Sequence, residues 1–566
     1  MIASLETFVH EPRVAYFSME IALRSDIPTY SGGLGVLAGD TMRSSADLDL
    51  PMIGVTLASR AGYFRQEIED GRQVERPDLW QPEESAARRL SAKIALPIGD
   101  HEVWVGAWLY IVEGNRGGAV PVILLDTDLT ENAAEDRELT HYLYGGDDTY
   151  RLKQEIVLGI GGVRLLRALG FSIRKYHLNE GHASLLTLEL LRSLAHTPQE
   201  AGGDGLHYDV PAVRQRCVFT THTPIEAGHD QFSYELADRL LGGFIDGGEL
   251  RRLAGQDRLN MTRLALNLCE HVNGVARKHA EVSRRMFPGY RVDAVTNGVH
   301  SWTWACDSFR RLYDKHVPRW CHEPELLIRA DRIPDEEFRQ AHAQAKGALL
   351  DLIRSSGDSE FDAALPLLGF ARRMTPYKRA DLLFSDLGRL KAIARRHPFQ
   401  IVLAGKAHPR DRGGRELIER LHNWARELQG EVPVLFIPDY DMDMARLLVS
   451  GVDVWLNMPM RPLEASGTSG MKAALNGVPN LSVPDGWWLE GWIEGVTGWA
   501  VGGEDDSDNS RDALSLYDKL EHRVLPLYHG DPAGWIAVMK GAVTHNASYF
   551  NSHRMMRQYA VEAYLH

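Results

Sequence analysis

The chain has 566 residues, of which 44% are hydrophobic, and its 63 basic and 77 acidic side chains give a formal net charge of −14. This length exceeds the size at which one hydrophobic core stops growing, so we expect two large domains. The acidic balance argues against nucleic acid or an anionic membrane as the main partner, and an anionic substrate would need a local basic pocket.

Cysteine usage and hydropathy indicate the compartment. The four cysteines show no CxxC pair and no zinc-ligand spacing, which is typical of reduced, mostly buried thiols. The N-terminus lacks a basic stretch followed by a long apolar run, and no run of eighteen apolar residues occurs. We therefore expect a cytoplasmic protein without a membrane partner.

The first half of the chain contains the units of an α/β domain. An apolar run at 120–129 is followed by a helical stretch at 151–170, a strand candidate from 173, and another that ends in THTP. Polar residues crowd the ends of these last two strands, in HLNEGH and THTPIEAGHD. The HxxxxH spacing of HLNEGH lies on a loop without the helical HExxH arrangement, so no metal site is predicted.

The second half is more regular, because short apolar runs alternate with stretches of helical period. This alternation predicts a parallel, doubly wound sheet with ligand-binding crevices at the carboxyl ends of its strands. The acidic stretch from Gly503 to Asp512 is predicted to be a solvated loop. The predicted strands are 367–371, 400–405, 433–437, 452–457 and 479–483, and the predicted helices are 380–396, 415–429, 443–450 and 471–477.

The segment TNGVHSWTW, near residue 300, divides the chain roughly in half. We predict two Rossmann-like, doubly wound α/β domains that face each other across a cleft. The first would span 1–300 and the second 301–540, and a terminal helix at 541–566 would cross back to the first domain.

The segment EASGTSGMKAALNG combines a loop of small residues, a short helix and an Asn-Gly stop. Its lysine, Lys472, lies between apolar neighbours, where an unpaired charge is unfavourable, and an imine with an aldehyde cofactor would remove that penalty. The alternative is a lysine that extends to solvent above a glycine turn. Free N–H groups at the helix start suit a phosphate and belong to Gly467, Thr468, Ser469 and Gly470.

Two further segments suit oxyanions. RRMTPYKRA follows a predicted strand, and its cations are either an anion site or a solvated charge run that begins a helix. YSGGLGVLAGD precedes an apolar helix; its spacing is not GxGxxG, so no dinucleotide fingerprint is supported, and a tight turn is the alternative. The residues concerned are Arg372, Arg373, Lys378 and Arg379 in the first segment, and Gly32, Gly33 and Gly35 in the second.

Taken in order, these segments resemble the α-glucan phosphorylases of glycogen, starch and maltodextrin, and AYFSMEIALRSDIPTYSGGLG is most similar to their short bacterial and archaeal branch. The segment around Lys472 resembles their pyridoxal-phosphate signature, with Gly470 where the large animal and plant enzymes usually carry asparagine. The resemblance implies the GT-B architecture, with the glucan and phosphate side of the site in the domain at 1–300. It further implies a pyridoxal 5'-phosphate in the domain at 301–540, held by Lys472 as a Schiff base. It also implies reversible phosphorolysis of α-1,4-glucan to α-D-glucose 1-phosphate, with retention and proton transfer through the cofactor's 5'-phosphate.

The resemblance also assigns roles to matching positions. Arg373 and Lys378 would grip the phosphates. The main-chain carbonyl of His222 would face the anomeric carbon, and its ring would reach a glucose hydroxyl. The catalytic set is Lys472, His222, Arg373 and Lys378. The cofactor-binding set is Lys472, Arg372, Tyr440, Thr468, Ser469, Gly470 and Gly32. The substrate-binding set is Gly33, Leu34, Asn297, Tyr377, Glu464, Ser466 and Gly467.

Three other functions compete with this one. A nucleotide-sugar glycosyltransferase of the same architecture explains a cleft but not the full motif around Lys472. A pyridoxal enzyme acting on amino acids would need an acidic partner such as Asp439 or Asp441 and leaves RRMTPYKR unexplained. A non-catalytic glucan-binding relative would not need Lys472. A homodimer is compatible with the sequence, and so is gating by the loop that contains Gly145 and Gly146.

Overall fold

The computed structural model describes residues 5–195, 208–356, 361–503 and 508–565. Here parallel strands alternate with helices, so the predicted α/β class is confirmed. The strands form two large sheets and two two-stranded sheets. Their bounds are β1 Arg13–Ser18, β2 Met52–Leu57, β3 Arg65–Glu69, β4 Arg72–Arg76, β5 Arg88–Arg89, β6 Ile94–Ile98, β7 His101–Glu113, β8 Ala119–Asp126, β9 Ile173–Asn179, β10 Cys217–Thr220, β11 Gln231–Ser233, β12 Arg258–Asn260, β13 His271–Gly274, β14 Asp293–Ala294, β15 Leu367–Ala371, β16 Gln400–Ala404, β17 Val434–Ile437, β18 Val454–Asn457, β19 Asn480–Ser482 and β20 Gly498–Ala500.

The first helix, α1, spans Gly33–Asp47 and follows the glycine-rich segment. In the described part of the chain, no helix has the length and apolar character needed to cross a bilayer. The other α-helices are Ala134–Arg137, Asp148–Ile156, Gly162–Ala168, Leu186–Ser193, Val210–Arg216, Tyr234–Leu241, Gly247–Ala254, Met261–Leu268, Arg277–Met286, Ser301–Trp304, Asp307–His316, Asp335–Ser355, Leu387–Arg396, Arg412–Leu428, Met442–Gly451, Thr468–Leu475, Trp488–Gly491, Asn509–Lys519, Leu525–Gly530, Pro532–Gly541 and Ser552–Tyr559.

The first sheet has ten strands in the order β14, β13, β10, β9, β1, β2, β8, β7 and β5, with β6 also paired to β7. Strands β14 to β8 run parallel, whereas β7 is antiparallel to β8. The strand order reverses at β1, which lies between β2 and β9, so a crevice opens at its carboxyl end. Glu20, Glu180 and His222 follow β1, β9 and β10 at this edge.

The second sheet is wholly parallel, in the order β17, β16, β15, β18, β19 and β20. All five predicted strands of this half are present, and the short β20 is an addition that the apolar pattern did not predict. The helix expected at 380–396 begins only at Leu387, where the side chain of Asp386 caps the N–H of Arg389. The strand order reverses at β15, and the RRMTPYKRA segment follows that strand directly.

Buried apolar side chains form one cluster around the second sheet and two clusters around the first. In β1, Ala15 and Phe17 belong to one cluster and Val14 and Tyr16 to the other, because successive side chains point to opposite faces. The first sheet is therefore buried on both faces, which explains its long apolar runs.

The end of the chain packs on the first sheet. Tyr559 belongs to the same apolar cluster as Val14 and Tyr16 of β1, and its hydroxyl lies 3.0 Å from Oγ1 of Thr220 at the end of β10. The hydroxyl of Tyr564 lies 2.6 Å from Nδ1 of His177 in β9. These contacts bring the last residues of the chain back to the half in which it began.

A hairpin formed by β3 and β4 reaches from the first half to the carboxyl edge of the second sheet. Its two buried glutamines donate to main-chain carbonyls there: Nε2 of Gln66 to Gly405 and Nε2 of Gln73 to Ala407, both at 2.9 Å. The N–H of Ala407 donates back to Oε1 of Gln73 at 2.9 Å. The hairpin therefore ties the two halves together beside the second crevice.

The prediction of a solvated acidic loop from Gly503 to Asp512 is wrong at its end, and residues 504–507 lie outside the described ones. A helix begins at Asn509, and Asp512 is fully buried. Its carboxylate accepts from Arg379 at 2.7 Å and from Arg461 at 2.8 Å. The last residue of the charge run, Asp512, thus belongs to a buried ion-pair network, whereas residues 508–511 are exposed.

Candidate active site

Of the four cations that follow β15, Arg372, Lys378 and Arg379 are largely buried, whereas Arg373 is exposed. Nη1 of Arg372 donates to Oδ1 of Asn457 at the end of the adjacent β18, and its Nη2 lies 2.6 Å from the carboxylate of Glu464. Nζ of Lys378 lies 2.8 and 2.6 Å from the two oxygens of Glu464. Burial alone would raise the pKa of Glu464, but the two cations lower it to about 2. The residue predicted to bind sugar is therefore ion-paired with two residues predicted to bind phosphate.

Arg373 differs from its two basic neighbours because, among the described residues, it has no hydrogen-bond or ion-pair partner. Its side chain reaches solvent within the crevice. Burial would lower the pKa of this guanidinium, yet the nearby Tyr63 and Glu20, with Tyr377 and Tyr144, raise it. Arg373 is thus a permanent cation that is free to bind an anion.

The N-terminus of α1 lies opposite this cation. A β-carbon added at Gly32 would be 3.5 Å from Nη2 of Arg373. The carboxylate of Glu20 accepts from the N–H groups of Ser31 at 2.6 Å and Gly32 at 3.2 Å. The next N–H groups, which include those of Gly33 and Leu34, open a fifteen-residue helix and have no partner within it. A helix N-terminus and an unpaired cation therefore lie close together, and both of them attract anions.

The helix Thr468–Leu475, here called the lysine helix, carries Lys472. This lysine is 7% exposed, and its Nζ lies 3.9 Å from the ring centroid of Trp304. No carboxylate of the described residues lies within ion-pair distance. Burial lowers the pKa of Lys472 to about 8. The alternative of a lysine extended to solvent is therefore wrong, and its amine is neutral in an appreciable fraction near neutral pH.

The start of the lysine helix differs in detail from the prediction. Gly467 adopts a left-handed conformation (φ 90°), which glycine accommodates. Oγ of Ser469 accepts from Nε1 of Trp455 at 3.2 Å, while Thr468 opens the helix. The N–H of Gly470 donates to the carbonyl of Gly467 at 3.2 Å, so the expectation that it is free is wrong. The first N–H groups of the helix remain available to an anion.

Packing explains why glycine occupies position 470. A β-carbon there would lie 2.4 Å from Oδ1 of Asn480 and 2.8 Å from the indole of Trp487. Asparagine at this position would therefore displace a neighbouring side chain or the lysine helix itself. Glycine instead of asparagine at position 470 therefore fits the close approach of Asn480 and Trp487.

His222 lies at the polar edge of the first sheet. Its Nε2 is 2.6 Å from Oδ1 of Asn179, and its main-chain N–H donates to the carboxylate of Glu180. Because an amide oxygen only accepts, Nε2 carries the proton. Burial lowers the pKa of His222 to about 4 despite the nearby Glu180, so the ring is neutral at physiological pH.

Other predicted residues either lie beside the cations or carry buried polar atoms without partners. Oδ1 of Asn297 and Oγ of Ser466 are buried without a partner among the described residues, and such atoms are typical of sites that receive a ligand. The ring of Tyr377 lies 4.7 Å from Nζ of Lys378. Burial raises the pKa of the Tyr440 hydroxyl, an effect that the nearby Arg372 opposes.

Sequence analysis missed three acidic residues of the site. Glu20 follows β1, and the hydroxyl of Tyr144 donates to it at 2.9 Å. Asp40 lies within α1, where an apolar helix gave no reason to single out one carboxylate. Glu180, in HLNEGH, was noticed only as part of a polar cluster. The position of Glu20 directly after a strand was the one signal that could have identified it.

A family model described as carbohydrate phosphorylase matches residues 22–102 and 249–493 of the chain. Similar proteins are a maltodextrin phosphorylase of Thermococcus litoralis, 39% identical over 98% of this chain and 70% of its own length, and a glycogen phosphorylase of Aquifex aeolicus, 36% identical over 97% and 86%. A glycogen phosphorylase of Mycobacterium bovis is 37% identical over 97% of this chain and 70% of its own length. The chain belongs to the carbohydrate phosphorylase family.

Membership of the carbohydrate phosphorylases raises the question whether these residues fit an aldehyde cofactor that bears a phosphate. Lys472 offers a buried amine of lowered pKa, covered on one side by the ring of Trp304. Nε of Arg372 is buried without a partner among the described residues, and the N–H groups at the start of the lysine helix are free of helical partners. An amine for the aldehyde and donors for the phosphate are thus both present.

Proposed function

We propose that this carbohydrate phosphorylase carries out reversible phosphorolysis of α-1,4-glucan, which releases α-D-glucose 1-phosphate from the chain end with retention. The observation that carries the proposal is the unpaired Arg373 opposite the N-terminus of α1. Such a pair of elements suits a phosphate that must be held beside a sugar. The names of the relatives, maltodextrin phosphorylase and glycogen phosphorylase, agree with this substrate class.

Pyridoxal 5'-phosphate is the proposed cofactor, joined to Lys472. Arg372, Tyr440, Gly32 and the N–H groups at the start of the lysine helix would hold its phosphate end. The chemistry that it supplies when bound is proton exchange with the substrate through its 5'-phosphate. Asp439 and Asp441 lie on the loop after β17; Asp439 is ion-paired with Lys406 at 2.6 Å, which speaks against an amino-acid enzyme that uses it to bind a ring nitrogen.

The protein's own residues would act as follows. Arg373, with the N–H groups of Gly33 and Leu34, holds the substrate phosphate, and Lys378 offsets the repulsion between the two phosphates. A phosphate oxygen bonds to C1 of the terminal glucose as the C1–O bond to the chain breaks, and the departing 4-oxygen takes a proton from the same phosphate. The carbonyl of His222 stabilises the positive charge that develops on the sugar.

Sugar recognition would fall to side chains of both halves. Asn297 and Ser466 offer buried polar atoms without partners, and Gly467 allows close approach of a hydroxyl to the backbone. Glu464 and Tyr377 lie among the cations and would contact the same glucose. Because Glu464 is paired in the free chain, we expect substrate binding to redistribute its hydrogen bonds rather than to add new ones.

In architecture we propose the GT-B arrangement: a first domain at 1–300, a second at 301–540, and a terminal segment at 541–566 on the first domain. The site would lie in the cleft between the facing crevices of the two sheets. The Gln66–Gln73 hairpin supports a fixed relation between the halves. A cytoplasmic location suits the free cysteines, Cys217, Cys269, Cys306 and Cys321, and a homodimer is the assembly that we would test first.

One assay tests the proposal. Purified protein loaded with pyridoxal 5'-phosphate is incubated with maltodextrin and inorganic phosphate, and glucose 1-phosphate is measured. Lys472→Ala should lose both cofactor absorbance and activity, whereas Lys391→Ala should keep both, because Nζ of Lys391 is ion-paired with Glu431 at 3.2 Å and contacts no predicted site residue. Failure to form product from any α-glucan would refute the proposal, and chain elongation from a nucleotide sugar without phosphate would favour the glycosyltransferase alternative.

A further inference from the structure

Asp40 is a buried carboxylate on α1 that no step above uses. It is 1% exposed, and its Oδ2 accepts from Nε1 of Trp304 at 2.8 Å and from the main-chain N–H of His300 at 3.2 Å. Its Oδ1 lies 3.1 Å from the same indole nitrogen and 3.4 Å from Nη1 of Arg43, one turn further along α1. These bonds fix the carboxylate against the segment that joins the two halves.

The indole of Trp304 is shared between Asp40 and Lys472. Its N–H edge donates to Asp40, while Nζ of Lys472 lies over its ring at 3.9 Å from the centroid. The charged groups that act on the lysine from the elements around it are Asp40, which favours the protonated amine, and Arg43, which opposes it. Burial, the largest influence, also favours the neutral amine.

We propose that Asp40 is the counter-charge of the Lys472 nitrogen: a positioning residue on α1 that keeps this nitrogen protonated and, through Trp304, fixes where it lies. For the cofactor-bound chain this inference rests on the proposed function; for the free amine it does not. The charge of Asp40 on α1 would thus control the protonation and position of Lys472 on the lysine helix. Helix α1, whose N-terminus we propose to bind the substrate phosphate, would also position the lysine to which the cofactor is attached.

Neutralising Asp40 separates its charge from its hydrogen bonds. In Asp40→Asn the amide oxygen can still accept from Trp304 and His300 while the negative charge is lost, and the amide nitrogen replaces the oxygen that lies 3.4 Å from Nη1 of Arg43. Asp40→Glu retains the charge and serves as the conservative variant. Glu490→Gln is the matched control, because Glu490 is also a largely buried carboxylate of the junction, bound to Oγ1 of Thr296 at 2.9 Å, and it does not act on Lys472.

The experiment is competitive labelling of the full chain, without added cofactor, by a small acylating reagent between pH 6 and 10, with the Lys472 peptide measured by mass spectrometry. In Asp40→Asn the labelling profile should move to lower pH, which raises the rate at pH 7 by about three- to five-fold. Asp40→Glu should move it less, and Glu490→Gln should leave it unchanged. An unchanged profile in Asp40→Asn, with unfolding temperature preserved, would overturn the proposal.

Arg43→Gln keeps the inference testable if Asp40→Asn does not fold. Removing this opposing cation should shift the profile to higher pH, and a shift to lower pH would contradict the proposal. In the cofactor-loaded protein, the pH at which the absorbance of the bound cofactor changes should also fall in Asp40→Asn. If the unaltered chain takes up no pyridoxal phosphate, the proposed function fails, whereas the labelling result still decides the role of Asp40.

Discussion

The two sheets reverse their strand order at β1 and at β15, and the residues that follow these strands carry opposite charges. Glu20 follows β1, and Glu180 follows the adjacent β9. Arg372, Arg373 and Lys378 follow β15. The topology provides a crevice in both places. At a switch point, the connections that leave two neighbouring strands run to opposite faces of the sheet. Topology therefore locates the two crevices, and the side chains at the strand ends decide what each can bind.

The difference in charge also separates two tasks. At the edge of the first sheet, carboxylates accept main-chain N–H groups of the glycine segment and of His222, so they hold loops in place. At the edge of the second sheet, Glu464 is ion-paired with Arg372 and Lys378. Arg373 has no partner among the described residues. The acidic edge builds a rigid polar surface, whereas the basic edge keeps charge available for an anion.

The largest effect is expected from the basic edge. Arg373→Ala should lower kcat/KM for phosphate by about 10²- to 10³-fold, because the cation that we propose to hold the substrate phosphate is lost. The KM for glucan should change little. Arg410→Ala is the control, since Arg410 is an exposed arginine on the loop after β16. Steady-state kinetics with each substrate varied separately gives both values, and an equal loss for both substrates would contradict the division of tasks.

A smaller effect is expected from the polar edge. His222→Asn removes a ring that donates to Asn179 and that is predicted to reach a glucose hydroxyl. The loss of one such neutral hydrogen bond should reduce kcat/KM for glucan by about ten-fold and leave the KM for phosphate within about two-fold. Thr223→Val, at the next residue, controls for local disturbance. A larger loss of kcat/KM for phosphate than for glucan would show that the edges of the first and second sheets do not have separate tasks.

The last effect is on stability rather than activity, and it depends on pH. Burial lowers the pKa of His222 and of His279 to about 4, so the unfolded chain binds more protons than the folded one between pH 6.5 and 4. The folded state is favoured in full above pH 6.5, where both imidazoles are neutral in the folded and in the unfolded chain. It becomes less favoured as the pH falls toward 4, because only the unfolded chain then takes up protons on them. Glu464, whose pKa is lowered to about 2, contributes above pH 4.5 and loses its contribution only below it.

We therefore expect the urea midpoint of unfolding to fall as the pH is lowered from 6.5 to 4.5, and to fall less in His222→Asn. The free energy of unfolding that the wild type loses through His222, and the variant does not, amounts to up to about 3 kcal/mol at pH 4. Glu464→Gln should keep the wild-type slope in this range and lose only the steeper decline below pH 4.5. A midpoint that does not change between pH 7 and 4.5 would show that the histidines of the first half are not held neutral.

Local patterns in the sequence determined the elements of the second half. The five predicted strands were found because each is a short apolar run between helical stretches, and both signals depend only on neighbouring residues. The same holds for the lysine helix, whose glycines, lysine and Asn-Gly stop are contiguous. Boundaries were less certain where a turn competes with a helix, as at Asp386, because capping there depends on one side-chain conformation.

The tertiary structure alone decided which charges are free. Arg372 and Glu464 are 92 positions apart, Arg379 and Asp512 are 133 apart, and Trp304 and Asp40 are 264 apart. An ion pair between distant residues leaves no periodic trace in the sequence, because it depends on which strands become neighbours. The sequence thus determined that cations follow β15 and that a lysine lies in a short buried helix. Only the fold determined that Glu464 pairs with two of those cations, that Arg373 stays free, and that Asp40 lies across Trp304 from Lys472.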